Sequence, residues 1–286
     1  MTLPLNARLL SVLEARNRAE LALMVLPGLM IVALVIVPAI WLGILSFSVD
    51  GVPSLAHYQR MIDNSSYAAI FLTTFQLAGL VTAITVLVGY PATYAITLLP
   101  PRLSALALAC VAIPFWTSLL VRTYAWMVIL QRNGILNGWL LDAGLIERPL
   151  RMSNSFFGTT IGMVHIMLPF FIFPLYASMR SIDGNLTRAA YSLGATPTRA
   201  FFDVFLPLSK QGLIAGALLT FVLCLGFYVT PQLLGGGNVT TLSIKIQQNV
   251  IVYADWGAAS ALAVVLVVIV GLMLVASRLL GGRGTD

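Results

Sequence analysis

The sequence predicts an all-α integral membrane protein of six transmembrane helices, and three observations carry that prediction. Hydrophobic residues make up 59% and charged residues only 9% of the 286-residue chain, whereas a soluble domain carries about a quarter charged residues. Six apolar runs, at 21–47, 68–99, 103–130, 156–179, 212–229 and 258–280, reach or nearly reach the ~20 residues that a bilayer requires. Between the fourth and fifth runs lies the long charged interruption 180–210.

Residues 1–20 form a polar, basic N-terminal segment, with Leu9, Leu10, Val12 and Leu13 set among Arg8, Arg16 and Arg18; a surface helix and a basic tail both fit. Residues 21–286 are expected as one six-span domain. The run 21–47 is too long for the core of a cleavable signal and has no small-residue cleavage site, so it reads as a retained span. Pro27, Pro38, Pro91, Pro114, Pro169 and Pro174 fall inside spans. They would kink helices packed around a cavity, although proline is common in membrane helices. Cys110 and Cys224 both lie in apolar stretches and are expected as buried free thiols.

The outer loops are 48–67, 131–155 and 230–257. Leu136, Trp139, Leu140 and Ala143 recur at helical spacing before Gly144, which fits a short amphipathic helix across the outer mouth or an interfacial anchor. Leu233–Asn238, LLGGGN, lacks the Lys and the strand-loop-helix setting of a phosphate loop and reads as a tight turn.

Within 180–210, Asp183 can cap a helix over 185–193, and Gly194 can end it in the left-handed region. Thr196 then supplies a new N-cap and Pro197 a first helical position. Phe201, Phe202, Phe205 and Leu206 share a side of the second helix, and Pro207 is expected to bend it toward the next span. A plain loop with local helix and a docking element for another subunit both fit this pattern.

Lysines and arginines set the orientation. Ten fall on the side of the termini, Arg102 and the 180–210 loop, against six on the other side, with five acids on each. The positive-inside bias therefore places both termini and the charged loop in the cytoplasm. The net charge of +6 is topological, and nucleic-acid binding is not implied.

Several chemistries are excluded. Neither Lys210 nor Lys245 follows a glycine, so no GxxxxGK[ST] exists and the chain is not itself a P-loop ATPase. His57 and His165 stand outside any HExxH frame, and no serine sits in GxSxG. The cores of the spans lack Asp and Glu, which argues against an intramembrane aspartyl protease and a carboxylate proton relay.

Two ionisable groups lie at membrane depth. Arg122 can snorkel outward as an anchor or line a path; His165 fits a hydrogen-bonded packing residue or a ligand. Around Arg122, Trp116, Thr117, Ser118, Tyr124 and Trp126 make the third run polar and aromatic, and the fifth ends in Phe227 and Tyr228. These residues are candidates for a solute path, because aromatic faces can hold an ammonium group. An interfacial aromatic belt is the other reading.

Ala189 and Ala190, then Gly194, then the Val204-Phe205-Leu206-Pro207 ending resemble the EAA loop of ABC-importer permeases. The resemblance extends through PFWTSLLVRTYAW (114–126), GILN (134–137), LPFFIFPLYASM (168–179), GLIAGALLTF (212–221) and GFYVTPQLLGG (226–236). Their order and spacing, over roughly residues 20–280, are similar to the spermidine/putrescine type of these permeases, B-type subunit. The resemblance implies a type I ABC-importer permease fold in a bacterial inner membrane and transport of a small organic solute such as a polyamine. It implies that Arg188, Ala189, Ala190, Gly194, Ala195, Leu206 and Pro207 form the ATPase-coupling loop. The implied partners are a second, unlike permease, a cytoplasmic ATPase dimer and an external substrate-binding protein. ATP and Mg would be bound by the ATPase, leaving no cofactor or metal in this chain. Arg188 stands where the family has Glu, so the contact of that Glu is not carried over. An ion-coupled secondary transporter is the alternative; it would show inverted repeats and, usually, intramembrane carboxylates. A membrane scaffold would show no polar path.

Overall fold

Prolines and short polar side chains decide where the helices begin. The computed structural model describes residues 5–49 and 51–281. In it α1 (Leu5–Ser46) leads into the hairpin β1 (Ser48–Val49) and β2 (Val52–Pro53), then α2 (Ala56–Asp63). The Asn64 side chain accepts from the Ser66 N–H and opens α3 (Ser65–Leu98), satisfying one of the free donors of a first turn. Leu99 is extended at ψ 152° ahead of Pro100, and Pro101 starts α4 (Pro101–Ala112). A 3-10 turn over Ile113–Trp116 precedes α5 (Leu119–Ile129) and α6 (Ile135–Asp142). Ser155 caps α7 (Phe156–Arg180) through the Gly158 N–H. Next come α8 (Gly184–Ser192), α9 (Pro197–Ala200), a π-turn over Phe201–Phe205 and α10 (Leu206–Gly226). The chain continues through α11 (Val229–Leu234), α12 (Leu242–Ile251) and α13 (Trp256–Gly281).

Among the described residues five helices are long and apolar enough to cross a membrane, and six if the α4 and α5 pair counts as one span. Residues 103–130, expected as a single span kinked at most by Pro114, are two arms that meet at 97°. The break falls at Thr117 and Ser118, both extended, with ψ 142° and 135°; hydropathy counts apolar residues and is blind to direction. With its 3-10 turn the first arm rises about 26 Å.

The fifth run differs as well. Instead of spanning 212–229, the helix runs from Pro197 to Gly226, 30 residues, and Phe227 turns extended at ψ 127°. Pro207 is accommodated by the π-turn, in which the Leu206 N–H donates to Phe201 O, five residues back. Proline lacks the N–H for the carbonyl four residues earlier and its ring crowds that carbonyl; a widened turn relieves both problems.

The N-terminal segment is helical in backbone from Leu5 and continuous with α1, while residues 1–4 lie outside the described residues. Cys224 is buried, but Cys110, expected buried, is exposed. Only Ser104 is buried on α4, and an apolar sequence does not separate core-facing from lipid-facing side chains.

The core is built around α7, which packs between α3 and α10. Its Phe171 is fully buried between two glycines. A Cβ on Gly89 of α3 would stand 2.6 Å from Phe171 Cδ1, and one on Gly216 of α10 would stand 3.0 Å from Cδ2. Small residues let membrane helices approach this closely. The buried hydroxyls of Thr74, Thr93, Thr123, Thr159 and Thr160 each bond the carbonyl four residues back, which lowers the cost of burying them. Peripheral α1 is exposed over most of its apolar length and meets α13. Arg60 of α2 pairs with Asp255 at the start of α13 at 3.2 Å.

Candidate coupling surface and transport path

Both ends of α8 are held by local hydrogen bonds. Asp183 Oδ1 accepts from the Asn185 N–H at 2.9 Å. At the other end Gly194 takes φ 86°; its N–H donates to Tyr191 O at 2.9 Å, and the Ala195 N–H donates to Ala190 O at 3.0 Å. That pair of bonds is a Schellman ending, and its left-handed residue is nearly always Gly. Thr196 Oγ1 then accepts from the Arg199 N–H at 3.3 Å, with Pro197 in the first position of α9.

None of the α8 residues is buried. A helix of 9 residues is too short to be stable alone, so its caps and the turn hold it in place. Leu186 and Tyr191 are exposed, and Leu193 is 89% exposed, which leaves an apolar edge open on a polar loop. Arg188, Ala189 and Gly194 are exposed, and Ala190 and Ala195 half-buried. Leu206 and Pro207 stand apart from this lobe, beyond the π-turn at the root of α10.

The eight path candidates separate into groups. Trp126 Nε1 donates to His165 Nδ1 at 3.2 Å; with Nδ1 accepting, the neutral ring carries its proton on Nε2. Together these two residues line a cavity of ≈ 270 Å³ with Ile84, Thr160, Val164 and Leu168. Trp116, 83% exposed, lies with Thr117 and Ser118 at the break, and Tyr124 is exposed on α5. Arg122, also on α5, keeps a buried Nε with no partner among the described residues. Phe227 packs against the core around Leu225 and Leu77, and its carbonyl accepts from Ser243 Oγ at 2.7 Å. Tyr228 is half-buried and begins α11, whose Thr230 lies 3.3 Å from Thr123 of α5, hydroxyl to hydroxyl.

The α7 contribution to the cavity was not singled out beyond His165. Ile161, Val164, His165 and Leu168 recur at i, i+3, i+4 and i+7, so the signal was present. It could not be distinguished from a lipid-facing stripe.

Residues 100–283 match the family described as "Binding-protein-dependent transport system inner membrane component". The chain is 36% identical over 211 residues to the spermidine/putrescine transport system permease protein PotB of Haemophilus influenzae, covering 74% of each chain. It is 33% identical over 234 residues to PotB of Escherichia coli K12, covering 80% of this chain and 85% of that one. Its fold is similar to a chain of the bacterial alginate ABC transporter in complex with an alginate pentasaccharide-bound periplasmic protein. There the TM-score is 0.73 at 16% identity, over 94% of this chain and 96% of the other.

Proposed function

This chain belongs to the family of inner-membrane components of binding-protein-dependent transport systems, and from that premise we propose that it is one of two unlike permease subunits of an ATP-driven importer of polyamines. The observation that carries the reading is α8, a capped helix with no buried residue and an open apolar edge. That surface fits a groove of a cytoplasmic ATPase dimer, which would bind ATP and Mg; this chain supplies the path and the lever. The family favours this reading over ion-coupled secondary transport.

The solute class is supported by relatives named as spermidine/putrescine permeases. Trp126, which lines the cavity with His165, is the aromatic candidate for holding an organic cation, because an indole face attracts ammonium groups without a carboxylate. The broken span supports a second permease. Backbone groups of an irregular segment cannot be left to lipid, and the exposed Trp116 beside the Thr117 and Ser118 break leaves a surface for a partner subunit to cover. An external binding protein would deliver solute on the side of α6.

Purified from native membranes, the chain is expected to bring an ATPase with it. In proteoliposomes, binding protein loaded with spermidine should stimulate hydrolysis and uptake. Trp126→Ala should lower uptake at subsaturating spermidine by roughly 2- to 30-fold, the factor given by losing a cation–π contact of ~0.5–2 kcal/mol. Purification without an ATPase overturns the importer reading, and stimulation by some other solute alone overturns the polyamine reading.

Orientation follows from the charge bias, with both termini and α8 cytoplasmic. Single cysteines at Leu145, 72% exposed, and at Leu193, in a background lacking the exposed Cys110, are expected to label from opposite faces. Asn137 is unsuitable for this purpose: its amide is buried and bonds Gln131 O and both backbone groups of Leu150. Labelling of both cysteines from outside would overturn the topology.

A further inference from the structure

Aromatic rings join the root of α10 to α3. Tyr94 of α3 stands edge-on to Phe205 at 4.9 Å and to Phe201 at 5.0 Å between centroids, and Phe201 and Phe205 stack at 6.0 Å. Edge-to-face pairs are directional as well as apolar. One turn along α3, Tyr90 Oη lies 2.8 Å from Ser209 Oγ. Because the Ser209 hydroxyl donates to Leu206 O at 3.0 Å, Tyr90 is the donor. Tyr90, Tyr94 and Phe205 also pack onto Phe171, Ile172, Leu175 and Met179 of α7.

Two cavities flank Tyr94. One of ≈ 280 Å³ is shared with Tyr90, Pro91, Thr198 and Phe201, and the other, ≈ 320 Å³, reaches Thr187 and Tyr191 of α8 and Phe205. A protein interior is ordinarily too tightly packed for one element to move against another. Here the ring borders two open pockets, and the helix opposite it carries a π-turn, a geometry found often at functional sites.

We propose that Tyr94 is a positioning residue: the fulcrum through which motion of α8 reaches α3 and, through the same rings, the buried α7. Covalent continuity couples α9 to α10 only. Farther along, α10 packs directly on α7 and α3; the rings add a directional contact at its root, beside the coupling loop. This inference rests on the coupling reading of α8.

The Tyr94 hydroxyl makes no hydrogen bond among the described residues, so the ring alone should matter. In the reconstituted complex Tyr94→Leu is expected to keep its ATPase on purification and to hydrolyse ATP at the basal rate. Solute imported per ATP should fall roughly 2- to 30-fold, the range for mutations along a coupling path. Tyr94→Phe should behave as wild type, and Phe205→Leu should reproduce the defect, with the double variant no worse than either single one. Phe205→Leu also serves as the test if Tyr94→Leu is poorly folded. Unchanged imported solute per ATP in both leucine variants overturns the fulcrum, as does a loss in Tyr94→Phe equal to that in Tyr94→Leu. If Gly194→Val is also fully coupled, the coupling reading itself fails; if Gly194→Val uncouples while the leucine variants do not, only the fulcrum fails.

Discussion

Gly194→Val is expected to abolish solute uptake and solute-stimulated ATP hydrolysis while leaving the chain in the membrane. Gly194 sits at φ 86°, where a β-branched residue clashes with its own backbone. A Cβ there would meet no neighbour within 4 Å, so the whole effect is backbone strain, of order 1–3 kcal/mol. The cheapest relief is to give up the bonds from the Gly194 and Ala195 N–H groups, which unwinds the end of α8 and re-aims it against α9. No α8 side chain is buried, so little in the rest of the fold resists the change and little is lost with it. Retention of the ATPase on purification should weaken in parallel. Arg188→Ala is the control: Arg188 is exposed, and its loss should cost far less than that of Gly194. Wild-type uptake with normal ATPase retention in Gly194→Val would remove α8 from the mechanism.

Gly212→Ala is expected to show the opposite phenotype, a loss of stability of the membrane fold itself. It lies where α10 crosses α7, and a Cβ on it would overlap the Cβ and Oγ of Ser178 and come within 3.6 Å of Leu175 Cα. Backbone and a short side chain cannot swing away as the tip of a long one can, so Gly212→Ala must push the two helices apart. Overpacking of this kind costs about 1–3 kcal/mol, and a larger residue costs more. The thermal midpoint in detergent should fall by roughly 2–4 °C for each kcal/mol, with less monodisperse protein recovered. Ser178→Gly removes both overlapping atoms and should restore much of the loss when combined with Gly212→Ala. Failure of that rescue would mean that the helices are held apart by something other than this contact.

The two glycines illustrate what could be read in advance. Gly194 was legible because its role is local: the Asp183 cap, the helix, the left-handed stop and the Thr196-Pro197 restart lie in one continuous stretch of sequence. At Gly212 the reason lies 34 positions away at Ser178, and nothing near it in the sequence indicates a close approach. Trp126 and His165 show the same limit. In the sequence each stands alone, one as a path candidate and one as a packing residue or ligand, and only the crossing of α5 and α7 makes them a single wall.

The sequence by itself determined that the chain is helical and membrane-spanning, and that it carries no GxxxxGK[ST], HExxH or GxSxG motif. A bilayer demands long apolar segments whatever their neighbours do, and caps and turns depend on adjacent residues. It also marked the family, through motifs whose order along the chain does not require a structure. Only the tertiary structure decided that the third run turns by 97°, that Cys110 is exposed, and that Phe171 fills a slot between Gly89 and Gly216. It alone placed Tyr94 against Phe201 and Phe205. Inside a membrane nearly every face of a helix is apolar, so hydropathy cannot say which face meets lipid and which meets protein; that choice is made by the fit of one helix surface to another.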